Sequence, residues 1–166
     1  MNKLTRTIRH LCMTPWRVSR TFPDDAMNAI EAVVEQSERA HTGQIRVVVE
    51  AALPVELLWR SLPARERAID VFSSLRIWDT EHNNGVLLYL LLADHDVEIV
   101  ADRGIARRVP QEEWETICRQ MEAAFRAGDF KNGVLAGIQA VADKLSTHFP
   151  RLEGGANELP NRPLVL

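Results

Sequence analysis

Every residue from position 86 to position 93 is apolar or aromatic, and this stretch constrains the fold more than any other part of the chain. A strand that faces water on one side alternates apolar and polar side chains, whereas a strand covered on both sides does not. The stretch is also far shorter than the roughly 20 residues that a membrane-spanning helix needs. It therefore predicts a central strand in a sheet with helices on both faces.

Two further strands are predicted around this one. Asp94 and His95 form a tight turn that leads into a strand over residues 97–101, so the two strands are expected to make an antiparallel hairpin. An earlier segment, Gln44–Glu50, is rich in β-branched residues and predicts a strand. A helix separates it from the central strand, so these two strands should run parallel through a right-handed crossover.

Four helices complete the predicted body. Apolar residues at helical spacing predict helix A over residues 24–41, helix B from Pro63, helix C from Pro110 to Gly128 and helix D after Asp129. The resulting order is α-β-α-β-β-α-α. We predict an α/β fold class, namely a three-layer α/β/α sandwich with a small mixed sheet covered by helices on both faces.

Charge divides the chain into a basic arm and an acidic body. The formal net charge is −3, and residues 1–20 contain five cationic and no acidic residues, so the remainder of the chain carries −8. Apolar side chains recur at helical spacing within the arm, at Leu4, Ile8, Leu11 and Cys12. We predict an amphipathic helix that docks on a protein partner or an anionic membrane surface, or that packs against its own acidic domain.

Composition also sets the expected boundaries and excludes some classes of function. We predict the arm over residues 1–20, one domain over residues 21–148, and a loose tail over residues 149–166, where prolines and glycines are frequent. The slightly acidic balance gives no general attraction to nucleic acid. Two cysteines and no secretory signal favour a cytoplasmic location, peripheral to the membrane if the arm docks there.

Polar residues flank the central strand and its hairpin partner. They are Asp79, Glu81, His82, Asn83 and Asn84 before the central strand, and Asp102, Arg103 and Gly104 after its partner. Antiparallel pairing brings the start of one strand beside the end of the other, so these two groups should meet. Carboxylate and amide oxygens suit a hard divalent cation, and a guanidinium suits a small anion. The same residue types also build ordinary turns.

Other reactive side chains have both functional and structural interpretations. His82 suits metal ligation or acid–base chemistry, although a lone loop histidine is commonly just solvated. Arg103, with Arg107 and Arg108, suits a phosphate group or a solvated basic loop. His41 is predicted to end helix A, where a cationic ring interacts favourably with the helix dipole. The chain contains no GxSxG, Walker A, GxGxxG, HExxH or CxxC motif.

Two segments resemble the TPM domain family. The first contains Asn-Asn-Gly-Val-Leu-Leu at 83–88 and Val-Glu-Ile-Val-Ala-Asp-Arg-Gly-Ile at 97–105; the second is Phe-Arg-Ala-Gly-Asp-Phe at 125–130. The resemblance covers about residues 21–148. It implies an α/β/α sandwich with an acidic surface groove, calcium or other divalent-cation binding in some members, and acid phosphatase activity ascribed to plant relatives.

The resemblance also implies positions for the site, with one departure. Relatives often carry Gly-Tyr-Gly-Leu-Glu where this chain has Asp-Arg-Gly-Ile-Ala at 102–106. Ala106 therefore replaces the family's acid, while Asp102 places a new acid nearby. Either Asp102 restores the missing carboxylate, or the groove has exchanged its metal for an anionic partner at Arg103.

These considerations define the expected site and function. The metal candidates are Asp79, Asp102 and Asp129, for calcium or magnesium, and the ligand-binding candidates are His82, Asn83, Asn84, Arg103 and Gly104. The expected function is binding of a divalent cation or small anionic ligand in the groove, with weak phosphatase activity. The alternative is a non-catalytic adaptor whose basic arm docks to a partner or membrane surface.

Overall fold

The computed structural model describes residues 3–151 and 157–166, so Met1 and Asn2 of the predicted arm and residues 152–156 of the predicted tail lie outside the described residues. The elements, in chain order, are α1 (Lys3–Leu11), α2 (Pro15–Thr21), α3 (Asp24–Ser37), β1 (Gln44–Glu50), α4 (Val55–Trp59), α5 (Ala64–Ser74), β2 (Gly85–Leu91), β3 (Asp96–Ala101), α6 (Arg103–Ala106), α7 (Gln111–Arg126), α8 (Phe130–His148) and β4 (Leu164–Val165).

The four strands form one mixed sheet in the order β3-β2-β1-β4. β1 runs parallel to β2 and to β4, and β2 and β3 form the predicted antiparallel hairpin. Every residue of β2 is buried, as its unbroken apolar sequence predicts. The predicted pairing of the three main strands is therefore confirmed.

Helices cover both faces of this sheet. Ile45 and Leu88 belong to the apolar cluster shared with α3, α7 and α8. Val48 and Leu87, which point to the opposite face, belong to a second cluster shared with α4 and α5. Complete burial of one such aliphatic side chain contributes about 1.5–3 kcal/mol, so both clusters stabilise the sheet. The three-layer α/β/α sandwich is confirmed.

The N-terminal helices pack against the body through one side. Arg6 Nε donates a 2.8 Å hydrogen bond to Asp94 Oδ2, and the buried His10 accepts the Leu53 backbone N–H at Nδ1 over 3.0 Å. Pro15 follows α1 without ending the helical region. It lies in the first turn of a second helix, α2, where a missing N–H costs nothing, and α2 places Val18 in the core.

The prediction of a loose tail is wrong for residues 157–166. Gln44 Oε1 accepts the backbone N–H groups of Glu158 and Leu159 over 2.9 and 3.0 Å. Arg46 donates a 2.7 Å hydrogen bond to the Pro160 carbonyl, and β4 then pairs with β1. Side-chain bonds to backbone and a two-residue strand leave no periodic pattern in the sequence, so periodicity does not detect them.

Candidate functional site

The start of β2 and the end of β3 bring two polar loops together. Val86 pairs with Ala101, and the Asp102 N–H donates to the Gly85 carbonyl over 2.9 Å. The Gly104 N–H donates to the Asn83 carbonyl over 2.8 Å. We call residues 79–84 and 102–104 the loop pair. The expected meeting of these two groups is thus present in the structure.

Asp102 has one carboxylate oxygen without a hydrogen-bond partner among the described residues. Its Oδ1 accepts the Arg103 N–H over 2.7 Å at the start of α6. Its Oδ2 is buried and bonds to none of the residues in 3–151 and 157–166. A buried, unpaired carboxylate oxygen is costly unless something binds it, because it has lost its water without gaining a donor or a cation.

Arg103 lies on the exposed side of the loop pair. Its Nε donates to Asn83 Oδ1 over 3.0 Å, which ties the two loops together through side chains. Arg108, one of the two other candidates for a shared phosphate, has different partners: it donates to the His148 carbonyl over 2.6 Å and lies 4.3 Å from the Phe149 ring centroid. Arg103 and Arg108 are therefore not brought together as one anion-binding pair.

The two asparagines mainly shape the loop. Asn84 is fully buried; its N–H donates to Thr80 Oγ1 over 3.1 Å, and its side-chain amide donates to Thr42 Oγ1 over 3.3 Å. Asn83 has a φ of 50°, a left-handed conformation that asparagine tolerates better than most residues. Neither observation assigns a ligand, so the turn interpretation explains Asn84.

The remaining candidates of the first loop lie at its surface. Asp79 is exposed, and its N–H donates to the Arg76 carbonyl over 2.9 Å in a turn. The His82 side chain is also exposed, while its carbonyl lies close to Gly104. Both side chains therefore reach solvent at the rim of the loop pair.

Asp129 lies away from the loop pair, which corrects the predicted set of three metal-binding carboxylates. It precedes α8, and its carboxylate accepts hydrogen bonds from Asn132 at both oxygens. The neighbouring Phe130 packs edge-on against His95, in the turn at the opposite end of β3 from Asp102. Within residues 3–151 and 157–166, no three His, Cys, Asp or Glu side chains are grouped to hold a metal ion.

Comparisons with known proteins identify the family. The TPM domain model matches residues 19–144, most of the chain. The chain belongs to the TPM domain family. It is also similar to the BA42 protein of the psychrophilic bacterium Bizionia argentinensis, solved by NMR, with a TM-score of 0.73 and 30% identity over 85% of this chain and 92% of that one. No curated protein matches the chain.

This TPM domain also contains a buried charged network that the sequence pattern does not reveal. Arg67 of α5 donates two 2.9 Å hydrogen bonds to the carboxylate of Glu50, and the Tyr89 hydroxyl donates to the same carboxylate. Burial raises the pKa of Tyr89 well above its usual range, so the phenol stays protonated. Helical periodicity assigns Arg67 to the exposed side of helix B, because it flanks the apolar stripe instead of lying within it.

A second buried cluster lies beyond the end of α3. The prediction that helix A reaches residue 41 is wrong, since α3 ends at Ser37 and His41 is fully buried past it. Burial lowers the pKa of His41 to about 4, so its ring is neutral at pH 7, and the predicted interaction of a cationic ring with the helix dipole is wrong. Its Nδ1 donates to the Gly43 carbonyl over 3.0 Å.

Replacing His41 by asparagine should remove part of the acid sensitivity of this domain. The folded protein keeps the ring neutral down to about pH 4, whereas the unfolded chain takes up a proton near its ordinary pKa of 6.5. Stability from His41 is therefore complete above pH 6.5 and is lost as the pH falls towards 4. The difference in unfolding free energy between the wild type and His41→Asn should change by about 3 kcal/mol over this window.

Urea denaturation at several pH values measures this difference. Glu38, whose pKa burial raises to about 7, has the opposite effect below pH 7, but it is present in both proteins and cancels. Parallel stability curves for the two proteins would contradict the assignment of a neutral, buried His41.

Proposed function

We propose that this TPM domain binds a divalent cation at the loop pair, with Asp102 as its buried carboxylate ligand. The observation that supports the proposal is the unpaired Oδ2 of Asp102, 7% exposed as a residue, where the two loops meet. A cation would supply the partner that this oxygen lacks among the described residues. The neighbouring backbone and the rim side chain of Asp79 offer further oxygen atoms.

The donor set decides which cations suit the site. Calcium takes six to eight oxygen ligands, and magnesium keeps several waters while using one or two carboxylates. With Asp102 buried and Asp79 at the rim, either ion would retain much of its water, and we expect weak binding, on the order of millimolar. The proposal concerns binding rather than phosphatase chemistry, because the three candidate carboxylates are not gathered around one ion.

Replacing Asp102 by asparagine tests the proposal with little risk to the fold. Asparagine is as good a helix N-cap as aspartate and keeps an oxygen for the Arg103 N–H, but it lacks the charge that attracts the cation. We expect Asp102→Asn to weaken calcium or magnesium binding at least about tenfold. Calorimetry with each ion, together with amide chemical shifts of the full chain, measures the affinity and the location.

Asp129→Asn is the matched control. The family resemblance implies that Asp129 belongs to the same metal site, whereas its contacts lie at the other end of the sheet. This variant should bind the cation as the wild type does. The proposal would be refuted if neither ion changed the amide chemical shifts of the loop pair. It would also be refuted if Asp129→Asn lost cation binding while Asp102→Asn kept it.

A titration with inorganic phosphate distinguishes cation binding from the alternative, which is binding of a small anion at Arg103. Arg103 retains exposed guanidinium N–H groups beside Asn83, and these groups suit an anion. Phosphate binding that Arg103→Gln removes, without any cation binding, would replace the cation proposal by the anion one. Cation binding that persists in Arg103→Gln supports Asp102 as the ligand.

A further inference from the structure

Large apolar side chains are exposed together on the first two helices. Ile8 is 52% exposed, Leu11 63% and Trp16 66%. Single exposed apolar residues are ordinary, but three large ones within consecutive short helices form a surface that a binding partner commonly covers. We call Ile8, Leu11, Trp16, Arg17 and Arg20 the arm patch.

The helix geometry places these side chains on the faces of α1 and α2 that are not anchored in the core. Successive residues of a helix are about 100° apart, so Ile8 lies on the side of α1 opposite His10, which is buried against Leu53. On α2, Trp16 lies opposite Val18, which is in the core. Each helix is therefore anchored by one face and presents the other outward.

The patch combines aromatic, aliphatic and cationic side chains without acidic ones. The Arg20 guanidinium lies 5.5 Å from the centroid of the Trp16 ring, and Arg17 is exposed on the same helix. Trp16, Arg17 and Arg20 line one side of a cavity of about 340 Å³ between α2 and the β2–β3 turn, and His95 and Phe130 line the other side. The segment from residue 3 to residue 21 contains no aspartate or glutamate, so its charge is complementary to an anionic surface.

We propose that the arm patch docks this domain on an anionic lipid bilayer. Trp16 would lie at the headgroup level, where tryptophan is favoured, with Ile8 and Leu11 in the apolar boundary and the two arginines against lipid phosphates. Among the described helices, none is long and apolar enough to cross a membrane. Exposed arginines beside a tryptophan suit an anionic lipid surface, which presents many phosphate groups in one plane. This function is independent of the cation site, which lies at the other end of the sheet.

Sedimentation with lipid vesicles tests the proposal on the full chain. We expect binding to phosphatidylcholine vesicles that contain about 30% phosphatidylserine, and much weaker binding to phosphatidylcholine alone. Raising the salt to about 0.5 M should release most of the protein, because the Debye length then falls well below 10 Å.

Matched variants separate the arm patch from general surface effects. Arg20→Gln should reduce partitioning about fivefold, since one basic residue near such a surface contributes about that factor. Trp16→Ala should also reduce partitioning, because it removes the aromatic side chain that lies at the headgroup level. The controls are Trp78→Ala, whose side chain is 47% exposed beside the start of β2, and Arg39→Gln, an exposed arginine beyond α3. Both controls should partition as the wild type does.

Three results would overturn the proposal. The first is a full chain that stays in the supernatant with phosphatidylserine vesicles, and the second is an equal loss of binding in the patch and control variants. The third is self-association that requires Trp16, seen by analytical ultracentrifugation without vesicle binding, which would assign the patch to a second copy of this chain. Because all four substitutions are at exposed positions, circular dichroism should show the same fold for each.

Discussion

Replacing Glu50 by alanine should lower the free energy of unfolding by about 4 kcal/mol, the largest effect that we expect from a single substitution in this domain. The Glu50 side chain is 3% exposed and accepts hydrogen bonds from Arg67 and Tyr89. Its removal leaves a guanidinium that is only 22% exposed without its counterion, and a buried hydroxyl without its acceptor. Urea denaturation followed by circular dichroism measures the loss.

A double variant separates the cost of an unpaired charge from the net value of the pair. Removing both charges, as in Glu50→Leu with Arg67→Leu, should cost much less than Glu50→Ala alone, because no charge is left buried without a partner. Tyr89→Phe should cost about 1 kcal/mol, the usual value of one hydrogen bond. If Glu50→Ala were no more damaging than Tyr89→Phe, the network would not be an essential part of the core.

The central sheet is predictable because the order of residues along its strands reflects their surroundings. The unbroken apolar run of β2 and the turn at Asp94 determine a buried hairpin, and the helix between β1 and β2 determines that these strands are parallel. The pairing of β4 is not predictable in this way. It depends on Gln44 and Arg46, which bond to backbone groups more than a hundred positions away.

The sequence predicts only the part of the candidate site that strand pairing brings together. The hairpin brings Arg103 and Gly104 against Asn83, and sequence order alone predicts that contact. Strand pairing does not determine the position of Asp129, which depends on how α7 and α8 pack on the sheet. The family resemblance places Asp129 in one metal site with Asp79 of the loop pair, but its contacts lie elsewhere. Helical periodicity predicts that Arg67 is exposed, because the pattern identifies only the apolar face of the helix. Arg67 lies at the edge of that face, and its partner Glu50 belongs to a different element, so the pattern of one helix does not predict their contact.

Replacing Gly85 by alanine should lower the free energy of unfolding by about 3 kcal/mol and disturb the loop pair. Gly85 does not adopt a left-handed conformation; it is needed because a Cβ there would overlap the carbonyl oxygen of Ile77. Backbone atoms of this kind cannot move aside as a flexible side chain can. The start of β2 would have to shift, and the Gly85 carbonyl that receives the Asp102 N–H would shift with it.

Gly128→Ala is the control that isolates this steric cause. Gly128 has a φ of 82°, and apart from Gly128 and its two neighbours in the chain, no heavy atom of the described residues lies within 4 Å of the position that a Cβ would take there. Alanine at this position therefore meets only the backbone cost of a left-handed conformation, about 1 kcal/mol. Denaturation should rank Gly85→Ala as the more damaging, and amide chemical shifts should move at Asp102 in that variant alone. Equal costs in the two variants, with unchanged shifts at Asp102, would mean that the approach of Ile77 to β2 does not position the loop pair.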